Sequence, residues 1–252
     1  AYFARAEELG VTVVYDPEVT RLILDGTQVK GASVLHDGKE QEITARAVVV
    51  AAGGFEANID WLKEGWGEAA ENFLVRGTPF NKGKLLRVLL DAGARPVSEA
   101  DQCHAVPIDA RSPKFDGGIA TRVDCVISSI VVNRDAVRFY DEGEDIWPKR
   151  YAIWGRLVGQ QPDQIAYAII DSKSQGLFMP TIFRPEQADT IEELARKLGL
   201  DPKTLKETVS DYNKAVRPGD FDPTQPDGCR TRGAEPEKTN WARKRDRAPF
   251  YG

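Results

Sequence analysis

Residues 47–54, Ala-Val-Val-Val-Ala-Ala-Gly-Gly, limit the fold of this chain more than any other segment. An unbroken apolar run of this length, with a β-branched centre and no alternating polar residue, is what a strand covered on both faces of a parallel sheet requires. Two glycines at its carboxyl end let the backbone approach a ligand at the edge of such a sheet. A nucleotide or phosphate is the ligand type this predicts, and a tight turn alone would account for the glycines equally well.

The flanking pattern extends the same architecture. Tyr2, Phe3, Ala6 and Leu9 recur at helical spacing, Gly10 supplies a stop, and residues 11–15 form a short β-branched run, so an αβ unit is expected. Residues 19–24, 29–35 and 40–44 read as three strands separated by Asp25-Gly26 and Asp37-Gly38, the turn pairs of an antiparallel meander. His36, at the second of these turns, reads as exposed and incidental. Residues 84–92 are helical.

From about residue 97 to 236 the chain becomes rich in turns, which predicts a second domain. It holds strands at 123–133 and 164–170 and a short helix at 151–158. Thr190 caps a helix over 191–198 with Glu193 three residues on, and Asp201-Pro202 opens another that reaches about residue 216. Residues 217–240, bounded at the start by Pro218-Gly219, form a long loop.

The net charge of −5 in 252 residues argues against a general nucleic-acid partner. The local basic cluster of Lys238, Arg243, Lys244, Arg245 and Arg247 around Trp241 is expected to be a solvated face. Cys103, Cys125 and Cys229 are too few and too scattered for a zinc site or redox dithiol, so reduced, mostly buried thiols and a cytoplasmic setting are expected. No apolar run is long enough to predict a membrane span. The opening residues, without an initiator Met, look like the last turns of a helix, which predicts an internal piece of a longer protein.

Taken in order, the αβ unit, the meander, the Ala51-Ala-Gly-Gly-Phe55 turn with Asn58 and the helix ending at Asp91-Ala-Gly-Ala94 resemble the fumarate reductase and succinate dehydrogenase flavoprotein family. The resemblance continues through Gln102-Cys-His-Ala-Val-Pro107, the stretch from Ile130 to Glu142 with its Val-Asn and Arg-Phe-Tyr-Asp-Glu, Leu205 to Asn213, and Pro249-Phe-Tyr251. Within the family the likeness is nearest to tricarballylate dehydrogenases, through Arg76-Gly-Thr-Pro-Phe-Asn81, Phe139-Tyr-Asp-Glu-Gly143 and Thr239-Asn-Trp-Ala242.

That resemblance implies an α/β fold, a partial Rossmann-like FAD domain with its β-meander, plus an α+β capping domain. Residues 1–96 would be the C-terminal portion of the FAD-binding domain, 97–236 the capping domain and 237–252 a return segment. It implies non-covalent FAD, a polycarboxylate small molecule and an electron-transfer partner. It assigns cofactor contacts to Val19, Ala51, Ala52, Gly53, Gly54, Phe55 and Asn58. His104, Thr121 and Arg122 would bind substrate carboxylates, with His104 also catalytic, and Arg150 would carry the proton, with Arg156 as the alternative.

The chain departs from the family where Asn81-Lys-Gly-Lys-Leu85 replaces Thr-Gly-Asp-Gly. It also holds no Gly-X-Gly-X-X-Gly. The chain alone is therefore expected to bind FAD weakly and to be inactive. Two other readings stay open: a 3-ketosteroid dehydrogenase-like flavoenzyme, favoured by an apolar pocket without a second cation near His104, and a non-catalytic binding module derived from the capping domain.

Overall fold

The computed structural model describes residues 1–115 and 121–252, which fall into two compact units. Unit 1 comprises Ala1–Trp61 and Phe80–Glu99, and unit 2 comprises Leu62–Pro79 and Ala100–Gly252. The chain is a mixed helix and sheet protein.

Unit 1 opens with helix α1 (Tyr2–Glu8) and continues into an antiparallel meander of β1 (Glu18–Asp25), β2 (Gln28–His36) and β3 (Lys39–Thr44). Asp37 and Gly38 both take positive φ, 50° and 72°, the conformation a two-residue hairpin turn demands. His36 pairs with Lys39 across that turn and is half-buried rather than exposed. Helix α2 (Ile59–Trp66) and helix α3 (Lys84–Asp91) follow, and the Arg87 guanidinium lies 3.8 Å over the Trp61 ring.

Two expected strands of this unit do not form. Residues 11–15 and 47–52 run without ladder partners among the described residues, and Val49 is 90% exposed. Strand identity depends on a neighbour as much as on composition: among the described residues neither run enters a ladder.

Unit 2 is built on a four-stranded sheet of β4 (Ile130–Asn133), β5 (Ala166–Asp171), β6 (Gln187–Ala188) and β7 (Phe250–Tyr251), ordered β4-β5-β7-β6, with every described pair antiparallel. Alternation sorts its side chains to two faces. Ile130, Val132 and Ile169 pack with Leu194, Leu205, Val209 and Tyr212 of helices α5 (Ile191–Leu198) and α6 (Pro202–Ala215). On the other face Val131 meets Trp154 of helix α4 (Trp147–Gly159), with Ala166 and Ala168 alongside. Trp154 is fully buried, and its loss to Ala would cost about 3–5 kcal/mol.

The helix caps follow the sequence: Thr190 accepts the Glu193 amide and Asp201 accepts the Thr204 amide. Helix α4 starts four residues earlier than expected, because Pro148 sits in its first turn, where a missing N–H costs nothing. The strand expected over 123–133 shortens to β4, since Val126–Ser128 forms a 3-10 turn first.

The basic cluster is a solvated face only in part: Lys244 and Arg247 are exposed and Arg243 is half-buried. Lys238 and Arg245 are almost wholly buried. Lys238 Nζ donates to the carbonyls of Ile127 and Ser129 at 2.8 and 2.6 Å and lies 4.0 Å from Glu142. Glu142 accepts from Arg138 Nε and Nη2 at 3.0 and 2.7 Å and from the Val131 amide at 2.8 Å. Arg138 Nη1 in turn donates to the Pro236 carbonyl at 2.6 Å. The composition of 238–247 signals charge, but the burial of Lys238 was set by partners over 90 residues away in sequence.

Burial pushes the Glu142 carboxyl up, but Arg138 and Lys238 outweigh it and leave its pKa below the ordinary value. Burial of Lys238, only partly offset by Glu142, pulls its pKa down to about 7. An unfolded chain keeps lysine charged to about pH 10, so above pH 7 it binds more protons than the fold does and stability rises with pH. Above about pH 9 the opposite contribution enters, because burial raises the Cys125 thiol to about 12 while an unfolded thiol ionises earlier. Urea unfolding midpoints should therefore climb between about pH 7 and pH 9, and Lys238→Met should flatten that climb. An unchanged slope in the variant would remove Lys238 as its source.

Candidate functional site

The residues expected to meet the cofactor lie in unit 1. Val19 pairs with Val34 in β1–β2, beside a register shift that ends before Arg21. Ala51, Ala52 and Gly53 are exposed, and no amide from residue 46 to 54 enters a backbone hydrogen bond among the described residues. Gly53 holds φ +77°, which L side chains avoid. Small residues with open amides fit the close approach of a dinucleotide.

Phe55 and Asn58 have structural partners as well. Phe55 stacks on Trp61 at 4.1 Å. Asn58 Oδ1 accepts the Trp61 amide at 3.2 Å, closing the first turn of α2, while its Nδ2 donates to the Lys82 carbonyl at 3.2 Å. The Asn81-Lys82 segment, where the sequence departs from the family, is thus the scaffold of this turn: the Ala57 amide donates to the Asn81 carbonyl at 3.0 Å, and Asn81 Nδ2 donates to Glu56 at 2.6 Å.

The residues expected to meet substrate lie in unit 2. Residues 107–109 and 121–123 run antiparallel, with the Asp109 amide donating to the Thr121 carbonyl and the Val123 amide to the Pro107 carbonyl, each at 2.9 Å. This pairing brings the segment of His104 beside that of Thr121 and Arg122. Ala105 then docks on α4: its amide donates to the Ala152 carbonyl at 3.0 Å, and its carbonyl accepts the Gly155 amide at 2.9 Å. Only glycine permits this, since a Cβ at position 155 would lie 2.6 Å from the Ala105 carbonyl carbon.

His104 and Arg122 meet on one ring. The exposed His104 imidazole stands edge-on to Tyr151 of α4 at 5.1 Å, and the Arg122 guanidinium lies 4.8 Å over the same ring. Arg122 is held by a bidentate pair with Asp124, at 2.6 and 3.0 Å. That hydrogen bonding, opposed by partial burial, raises the Arg122 pKa. Thr121 is buried directly before Arg122.

Arg150 precedes Tyr151 on α4 and pairs with Glu144, which also accepts the Tyr140 hydroxyl at 2.7 Å. Its Nε is buried with no hydrogen-bond partner among the described residues. Arg156, the alternative, is occupied elsewhere, with Asp101 at 3.2 Å and the Trp66 ring at 5.9 Å.

Tyr151, Asp124 and Trp147 escaped the sequence reading. The four-residue spacing of Trp147 and Tyr151 is a helical signal for a shared face. Nothing in sequence marks Asp124. No group of His, Cys, Asp and Glu among the described residues is arranged to hold a metal ion, and no helix there is long and apolar enough to cross a membrane.

The FAD binding domain family model matches residues 1–251, and the chain belongs to that family, whose cofactor is FAD. It is similar to the NADH:acrylate oxidoreductase of Vibrio harveyi, 28% identical over 98% of this chain and 24% of that protein. It is also similar to the NADH:fumarate oxidoreductase of Klebsiella pneumoniae, 26% identical over 82% of this chain and 22% of that protein. The chain thus spans about a quarter of the length of these relatives. The 3-ketosteroid Δ1-dehydrogenase of Sterolibacterium denitrificans shares the fold, with a TM-score of 0.71 and 23% identity over 98% of this chain and 48% of that structure.

Because Ala105 reaches α4 only over a bare Cα, Gly155→Ala should destabilise unit 2 by about 1–3 kcal/mol. It should also loosen His104 from Tyr151. Thermal unfolding checks the first effect and the line width of the His104 imidazole in nuclear magnetic resonance the second; a variant unchanged in both would contradict this packing.

Proposed function

We propose that the chain is part of an FAD-dependent oxidoreductase that dehydrogenates or reduces a polycarboxylate at a C–C bond. The observation that carries this reading is the pairing of a second cation with His104: Arg122 and His104 share the Tyr151 ring, so two carboxylate-binding groups face one small region. The relatives' names fit a reaction at the C–C bond next to a carboxylate, since acrylate and fumarate are both unsaturated carboxylates, and fumarate carries two carboxyl groups. Tricarballylate, or a succinate- or fumarate-like acid, is the substrate type that fits.

In this reading residues 1–96 form the C-terminal portion of the FAD-binding domain, with 97–236 as the substrate cap and 237–252 as its return segment. Val19, Ala51, Ala52, Gly53, Gly54, Phe55 and Asn58 hold FAD, which when bound supplies the hydride acceptor or donor at its N5. His104, Thr121 and Arg122 hold the carboxylates and so orient the reacting C–C bond. Arg150 moves the proton at the neighbouring carbon, exchanging it through Glu144, its ion-pair partner. An electron-transfer partner renews the flavin, and the free cysteines suit a cytoplasmic setting.

A second reading, a 3-ketosteroid dehydrogenase, is favoured by the fold likeness and by the aromatic side chains Phe139, Tyr140 and Trp147 around Trp154. The cation beside His104 weighs against it, since a steroid carries no carboxylate to meet Arg122.

The test is anaerobic mixing of the flavin-loaded protein with tricarballylate, succinate or a 3-ketosteroid. Bleaching of the yellow flavin by a polycarboxylate is expected, and His104→Ala and Arg122→Ala should each lower kcat/KM by about a hundredfold. Bleaching by the steroid alone would move the assignment to the second reading.

A further inference from the structure

Arg122 would be of little use to a carboxylate if its guanidinium swung freely, and a buried acid prevents that. Asp124 is 5% exposed. Its Oδ1 accepts from Arg122 Nε at 2.6 Å and from the Trp147 indole N–H at 2.7 Å, and its Oδ2 accepts from Arg122 Nη2 at 3.0 Å. Trp147 in turn lies against Tyr151, with ring centroids 6.2 Å apart, and Tyr151 supports both the Arg122 plane and the His104 edge.

We infer that Asp124 is a positioning residue, which fixes Arg122 and the Trp147–Tyr151 platform so that the guanidinium's outer edge receives one carboxylate of the substrate. This rests on the reading of Arg122 as a substrate-carboxylate group. A guanidinium has five N–H donors in a rigid plane. Asp124 occupies the Nε–Nη2 edge, and Nη1 has no hydrogen-bond partner among the described residues, so the neighbouring edge of Nη1 and the second Nη2 hydrogen is the one left for a substrate carboxylate. That edge matches a planar carboxylate with two parallel hydrogen bonds. The plane cannot rotate without breaking the bidentate pair, and Tyr151 lies within 4.8 Å of the guanidinium carbon.

Charge alone does not supply the attraction. Asp124 cancels Arg122, and Glu144 cancels Arg150, so the cluster presents direction rather than a strong positive field. A lysine at position 122 could keep the charge but neither the fork nor the stacked plane. The site therefore selects acids whose carboxylate can lie in the guanidinium plane, while His104 takes a second polar group of the same molecule.

The experiment is calorimetric titration of the flavin-loaded protein with tricarballylate, beside steady-state kinetics, for Asp124→Asn, Arg122→Ala and the double variant. Asparagine keeps the shape of Asp124 and an acceptor for Trp147 but loses the charge and the bidentate pair. Asp124→Asn should weaken tricarballylate binding about tenfold, raise KM to match and leave kcat within about twofold. Asp124→Asn should have no further effect once Arg122 is gone, because it acts only through that residue. Trp147→Phe, which removes the indole N–H and shrinks the ring but keeps an aromatic side chain, should weaken binding in the same direction.

If Arg122→Ala weakens binding and Asp124→Asn does not, positioning by Asp124 is overturned while Arg122 keeps its role. If Asp124→Asn weakens binding equally with and without Arg122, Asp124 is a general structural residue and the inference is overturned. If Arg122→Ala leaves binding unchanged, the underlying reading of Arg122 fails, and this inference with it.

Discussion

The buried triad of Arg138, Glu142 and Lys238 is the constraint on which unit 2 depends. Burying three charges costs several kcal/mol each before pairing, and only dense hydrogen bonding offsets it. Here Glu142 takes three donors, Lys238 closes on two backbone carbonyls, and Arg138 reaches the Pro236 carbonyl. These bonds tie the segment around 236–238 to β4 and to the turn before it. Removing one member would strand the others in a medium that cannot solvate them, a loss on the order of 3–5 kcal/mol. A second buried contact, Arg245 3.7 Å from Asp171 at the end of β5, anchors the same C-terminal stretch one strand further on.

The fixed sheet then defines where α4 lies, and α4 carries Arg150, the proposed proton carrier, and Tyr151, the ring beneath His104 and Arg122. Its Trp154 side packs on Val131, while Trp147, Arg150 and Tyr151 belong to its first turns. His104 and Arg122 come from separate loop segments that pair through 107–109 and 121–123, and both side chains rest on Tyr151. The proposed recognition surface is thus an aromatic platform bearing two polar groups, one of them, Arg122, paired with the buried Asp124. Rigid support of this kind is what directional carboxylate recognition requires when the local charges nearly balance.

Features governed by near neighbours in sequence were legible before the fold. The hairpins at Asp25-Gly26 and Asp37-Gly38 and the caps at Thr190 and Asp201 depend on a few consecutive residues, and they form as expected. Residues 11–15 and 47–52 were not legible in the same way, because a strand needs a partner that composition does not specify. The cluster of Lys238 and Arg245 failed for a related reason: a run of cations signals solvent until Glu142 and Asp171 arrive from elsewhere in the chain. At the site, His104 and Arg122 were marked by resemblance, and the fold adds that they share a ring. Tyr151 and Asp124 became visible only when loops distant in sequence closed on α4.

A crystal structure of the flavin-loaded protein with tricarballylate bound tests the central claim most directly. The account predicts one carboxylate in the plane of Arg122, on the edge neighbouring the one Asp124 occupies, with another polar group of the acid at His104. A tricarballylate molecule bound elsewhere, with the outer edge of Arg122 in solvent, would contradict it.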